Sequence, residues 1–156
     1  MDFQFKSISI EKDHVGVVFC DSKNRLIGHG KKLDQISKKA ISSVINNDLS
    51  FQKRKSKSFD YAIVHAPNNL KLAKLYVFKL SDTSKYSFRD YQILGGHLFS
   101  LISFYQEDNV GLYLDGIMSK GISTVNVASE IILGSLLAAY KFDKYKTVNK
   151  KEKKTL

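Results

Sequence analysis

The chain has 156 residues, 43% hydrophobic and 26% charged, with 25 lysines and arginines against 15 acids for a formal charge of +10. That length suits one domain with its own core, in an ordinary globular composition. A single cysteine, Cys20, excludes an intrachain disulfide and a thiolate zinc site, no apolar run reaches the roughly 18 residues of a membrane span, and the N-terminus MDFQFKSISIEKD lacks the basic-then-apolar layout of a signal peptide, so the expectation is a soluble, cytoplasmic protein.

In chain order, FQFKSISI at residues 3–10 alternates apolar and polar positions and predicts a half-buried strand. Val15 to Cys20 is a continuous run of β-branched and aromatic residues, the mark of a buried strand. Asp21 to Gly30 carries turn residues. Leu33, Ile36, Ala40, Ile41, Val44 and Ile45 recur every three or four residues and predict one amphipathic helix with its lysines outward. It ends at Asn46-Asn47-Asp48, and a basic, serine-rich loop runs to about Ser58. Strands are predicted over Phe59–Ala66 and Leu75–Leu80. Ser87 as N-cap and Asp90 near the positive helix end start a helix that continues through Tyr91, Leu94, Leu98, Leu101, Ile102 and Tyr105. Val110–Leu114 is a short strand turned by Asp115-Gly116; the stretch from Gly116 to Gly121 is ambiguous. Thr124 to Tyr140 is a long helix with Val127, Ile131, Leu133, Leu136, Leu137 and Tyr140, apolar on most sides, which predicts substantial burial. After Tyr145 almost nothing is apolar, so residues 1–145 are expected to form the domain and the lysine-rich 146–156 an interdomain linker or disordered tail. Helices alternate with strands apolar on both faces, which argues for an α/β protein, a three-layer α/β/α sandwich with a mixed sheet.

Candidate chemistry is sparse. Histidines 14, 29, 65 and 97 have no metal-ligand spacing and no accompanying carboxylate pair. His97 reads as a helix histidine, and His65 ends a strand, where α/β folds place sites. Gly28-His29-Gly30 precedes a helix, but neither a dinucleotide fingerprint nor a phosphate-binding P-loop is present, and Asp21 in the same turn disfavours phosphate. Cys20 sits in an apolar run, as a small buried hydrophobe does. Gly95-Gly96 inside a helix costs roughly 1 kcal/mol per glycine, which close packing on a neighbouring element would offset. No residue is therefore assigned a catalytic, cofactor-binding or metal-binding role.

Positive charge is concentrated in residues 31–57, with eight basic residues against Asp34 and Asp48, and in 141–156, with seven lysines against Asp143 and Glu152. Only Arg25, Arg54 and Arg89 are arginines, which speaks against specific nucleic-acid readout. Weak, nonspecific polyanion binding is the corresponding expectation.

Several segments together resemble the N-terminal, non-catalytic domain of the leucyl (cytosol) aminopeptidase family, in an α-proteobacterial form. They are Leu33-Asp-Gln-Ile-Ser37, the strand Lys74-Leu-Tyr-Val-Phe78, and above all Ala128-Ser-Glu-Ile-Ile-Leu-Gly134 followed by Leu136-Leu-Ala-Ala-Tyr-Lys-Phe-Asp-Lys-Tyr145. The resemblance covers nearly the whole chain. It implies a macro-domain-like fold in an enzyme that assembles as a homohexamer. It also implies a parent that releases N-terminal residues from peptides with two divalent ions, manganese or zinc, held in a C-terminal catalytic domain. None of that domain's motifs occurs here, so this chain is expected to hold no metal and to be inactive alone. Its expected partners are its own catalytic domain and sister subunits, and its expected role is in assembly and access to the catalytic chamber. The alternatives are a free-standing macro-like module for ADP-ribose or another nucleotide, for which Gly28–Gly30 and Gly116–Gly121 are the only candidate loops, and a basic nucleic-acid-binding domain.

Overall fold

In the computed structural model, residues 14–53, 60–117, 119 and 121–140 are described. The strand predicted at 3–10, residues 54–58 of the predicted loop and the boundary at 145 and 146 lie outside them. Four strands are seen, β1 (His14–Cys20), β2 (Tyr61–His65), β3 (Leu72–Lys79) and β4 (Val110–Leu112), and five helices, α1 (His29–Ile36), α2 (Ala40–Asn47), α3 (Leu49–Lys53), α4 (Phe88–Phe104) and α5 (Thr124–Ala139). The sheet order is β2-β3-β1-β4. β1 runs parallel to β3 and to β4, with Val17 opposite Tyr76 and Leu112; β2 pairs antiparallel with β3, Ile63 opposite Tyr76.

Alternation along the strands divides two cores. Val15, Val17 and Phe19 of β1 with Tyr76 and Phe78 of β3 face Leu94, Leu98, Val127 and Ile131 of α4 and α5. Val18 and Cys20 with Leu75 and Val77 face Leu33, Ile41, Ile45 and Phe51 of α1, α2 and α3. Because both sheet faces are covered, β1 and β3 read as nearly unbroken apolar runs. The result is the expected three-layer α/β/α sandwich on a mixed sheet.

α4 starts as predicted. The Ser87 N–H donates to Asp90 Oδ2 at 2.7 Å and Ser87 Oγ donates to the same oxygen at 2.6 Å. These bonds hold the Asp90 carboxyl below its ordinary range.

Three expectations are corrected. The single helix from Leu33 to Ile45 is two, because Lys38 and Lys39 adopt left-handed backbone with φ of 55° and 63°. Asp34 accounts for the break: its carboxylate accepts from the Ser42 N–H at 2.8 Å and from Ser42 Oγ. That satisfies a first-turn donor of α2 from outside the helix, as an N-cap would. The lysines of this region do point outward, as expected: 31, 32, 38 and 39 are all exposed.

The second correction is in the loop expected from Asp48 to about Ser58, whose first part is α3: Asp48 Oδ1 accepts from the Phe51 N–H at 3.0 Å and Phe51 is buried in the core, which gives this short helix a cap and an anchor. The third correction concerns α5. Of the six residues expected to bury, only Val127 and Ile131 do; Leu133, Leu136, Leu137 and Tyr140 are 43%, 47%, 62% and 71% exposed. The buried side consists of Val127, Ala128, Ile131, Gly134 and Ser135. Small residues win that side because the helix backbones nearly touch. A Cβ on Gly134 would lie 1.9 Å from the Gln92 carbonyl oxygen, and one on Gly95 would lie 2.0 Å from that of Ile131. Ser135 Oγ donates to the Gly95 carbonyl at 3.0 Å across the same seam. The close packing expected to offset the α4 glycines is thus found at Gly95; Gly96 has only ordinary contacts, at 3.8 Å.

Candidate functional site

The C-terminal ends of β1, β3 and β4 share one sheet edge, the place where α/β folds present loops to ligands. Both glycine turns singled out in the sequence arrive there, after β1 and after β4. They meet each other instead of framing a cradle. The Cβ position of Gly28, which has φ +52°, falls 1.7 Å from the Asp115 carbonyl oxygen, and that of Gly116 falls 2.9 Å from the Gly28 nitrogen. Only glycines allow this approach. The Asp115 side chain sits at the same point, its Cγ 2.9 Å from the Gly28 Cβ position. A carboxylate thus occupies the neighbourhood of the α1 N-terminus that an anionic ligand would need. Gly30 lies inward, 3.4 Å from Val18 Cβ by its own Cβ position, and Gly121 has nothing within 4 Å.

The histidines do not converge. His14 opens β1 and His65 closes β2 at an exposed position. His29 begins α1 with its ring stacked on Tyr113, centroids 4.8 Å apart and planes 9° off parallel. His97 is exposed on α4 and borders a groove of about 230 Å³ lined also by Tyr61, Phe78, Ser100, Leu101 and Phe104. Among the described residues no three His, Cys, Asp or Glu side chains come together as metal ligands. Cys20 is fully buried and burial pushes its thiol up to about 12. It is a thiol at neutral pH and no nucleophile.

Two polar arrangements were not anticipated. The first fastens the end of α4 to the sheet. Glu107 Oε1 accepts from Lys74 Nζ at 2.5 Å and from Tyr76 Oη at 2.6 Å. Lys74 Nζ lies 5.4 Å and 5.7 Å from the centroids of Tyr105 and Tyr76, within cation–π range. Burial pushes the Glu107 carboxyl up, but the Lys74 and Tyr76 hydrogen bonds and the Lys74 charge outweigh it, and the group sits below its ordinary value. Burial and the Glu107 hydrogen bond raise the Tyr76 phenol well above its own. Glu107 is placed by the turn that ends α4, where its N–H donates to the Ile102 carbonyl at 3.0 Å and Gln106 takes φ +54°. The strongest donors here already point at Glu107, so the cluster ties elements together and leaves no activated group. Its sequence signal was the period-two spacing of Lys74 and Tyr76; Glu107, 31 residues beyond Tyr76, carries none.

The second arrangement is Lys79, 2% exposed, which donates from Nζ to the Phe51 carbonyl at 2.5 Å with the ammonium 4.5 Å from the Phe51 ring centroid. It pins the short α3 to the opposite sheet face. Among the described residues, then, no constellation has the form of an active site, and no helix is long and apolar enough to cross a membrane.

The fold is shared with a protein of quite different sequence. The macrodomain of Mycobacterium tuberculosis DarG superposes with a TM-score of 0.60 over 85% of this chain and 89% of its own, at 10% identity. The α/β sandwich is therefore macro-domain-like. Sequence comparison is more specific. Probable cytosol aminopeptidases from Rickettsia bellii, strains OSU 85-389 and RML369-C, are 30% identical over 138 residues, 88% of this chain. The chain spans about a quarter, 27%, of the length of those relatives. Residues 17–149 match the model of the cytosol aminopeptidase family, N-terminal domain, a span that runs from inside β1 to beyond α5. The chain belongs to the cytosol aminopeptidase family, whose N-terminal domain it carries.

Proposed function

We propose that this domain is a non-catalytic element of a leucyl aminopeptidase that works by packing, helping to position subunits and framing access to a catalytic chamber. The observation that carries this reading is the match of residues 17–149 to the family's N-terminal domain in a chain spanning 27% of its relatives' length. The parent reaction is release of N-terminal residues from peptides, assisted by two divalent ions, manganese or zinc, in the cytoplasm, within a homohexamer.

The described residues do not fit those ions. His29, His65 and His97 stand on different elements, and no group of three metal-ligating side chains is formed among the described residues. On this reading the metal chemistry belongs to the part of such an enzyme that this chain does not span.

Two measurements test the reading. The purified chain should not turn over leucine p-nitroanilide with or without added manganese or zinc; metal-dependent turnover that co-purifies with it would overturn a non-catalytic role. A hybrid in which this chain replaces the matched 138 residues of the Rickettsia bellii OSU 85-389 protein should assemble to the same mass as that relative. If the relative lacking its matched region assembles equally well, the packing role fails.

A further inference from the structure

On the reading just given, the structure points to the surface through which the domain acts. We propose that the outer stripe of α5, formed by Leu133, Leu136, Leu137 and Tyr140, is the seat of the rest of the aminopeptidase polypeptide, the length its relatives carry beyond the matched span. Spacings of three, one and three residues put all four side chains on one helix face. From Ile131 to Tyr140 no residue is charged. α1, on the other side of the sheet, turns Lys31, Lys32 and Gln35 outward. A contiguous apolar patch of this kind on one helix is the mark of an interaction surface.

Three observations select the occupant. The family match continues past the end of α5 to residue 149, and the relatives are almost four times as long as the matched part of this chain, so α5 leads toward that additional length. Exposure rises along the stripe from 43% at Leu133 to 71% at Tyr140, so the barest part lies nearest the point where the chain leaves the helix. A segment attached there meets the stripe at high effective concentration. The stripe itself is uncharged from Ile131 to Tyr140, so net charge steers nothing to it, and a second copy, lacking the tether, meets it only at its own concentration.

The test replaces Leu137 by the photo-crosslinking residue p-benzoylphenylalanine, in the 156-residue chain and in the Rickettsia bellii hybrid. Irradiation of the hybrid should give a crosslink within one polypeptide, to a peptide from the relative's portion. Crosslinking to α5 of a second copy, to residues 141–156 of the same chain, or to nothing at all overturns the proposal. A second arm uses the double variant Leu137→Gln, Tyr140→Gln, which adds no tryptic site. In the chain alone it should melt within about 2 °C of the parent, as exposed substitutions do. In the hybrid it should speed tryptic separation of the two parts by about tenfold, the consequence of about 1.4 kcal/mol of lost docking. A fall of more than about 5 °C in the chain alone would show the stripe packed within the domain and would also overturn the proposal. Hybrid assembly is scored separately: it can fail with the crosslink intact, which would count against the packing role and not against the docking face.

Discussion

The two helical layers differ in how they meet the sheet and in what they turn away from it. The α1–α3 layer is built of helices of five to eight residues. They are fixed by side chains, Asp34 across the α1–α2 break and Lys79 beneath α3, and α1 and the turn after it carry Lys31, Lys32, Lys38 and Lys39 outward. The α4–α5 layer is built of helices of 17 and 16 residues whose backbones touch at Gly95 and Gly134, and α5 carries leucines outward. The first layer exposes its apolar residues singly, Ile36, Val44 and Leu49 on three separate helices, whereas α5 gathers four on one face. On the docking proposed above, the first is the solvent side of the domain and the second its partner side, and glycine, not leucine, decides which is which. Leucine would be satisfied by burial against the sheet, but the backbone contact at the glycines uses that side of α5.

The comparison breaks most readily at the seam. Gly134→Ala puts a Cβ 1.9 Å from a carbonyl oxygen and should cost at least about 3 kcal/mol by overpacking, roughly 10 °C of melting temperature. Gly30→Ala in the other layer meets Val18 Cβ at 3.4 Å, and the gain in helix propensity offsets that contact. It should be nearly neutral, and equal losses in the two melts would mean that the layers pack alike.

Glu107→Gln probes the tie beneath α4. The carboxylate's folded value lies below its ordinary 4.5, so its contribution is complete above that value and fades as pH falls through the lower, folded one. The variant should lose about 1–2 kcal/mol at pH 7, as a charged hydrogen-bond acceptor does, and the gap to the parent should close on acidification. A gap that stays constant from pH 7 to pH 3 would show that the charge of Glu107 does not fasten α4.

Leu136→Asp should cost less than the Glu107 variant. Read from the sequence, this leucine belongs to a buried helix and the change would be ruinous. At 47% exposed it should cost no more than about 1 kcal/mol in the isolated chain. A loss of several kcal/mol in denaturant unfolding would return the α5 stripe to the domain core.

Residue patterning by itself determined the order of the four strands and the two long helices from β1 onward, the α/β class, the Ser87–Asp90 helix start, the use of Gly95 as a contact residue and the family. Each rests on local or short-period information: apolar runs for strands covered on both faces, a cap three residues before its partner, a segment of linear sequence. Tertiary structure alone decided that the helix over 33–45 breaks, because the group that caps α2 comes from Asp34 on α1 and not from the break itself. It also decided that Tyr76, Lys74 and Glu107 meet, since 31 residues separate Tyr76 from the carboxylate that joins them. And it decided which side of α5 is buried. A helix apolar around most of its circumference offers several faces of similar hydrophobicity, and nothing in its own pattern ranks them. The ranking came from a neighbour's backbone at Gln92, which only the glycine face could approach.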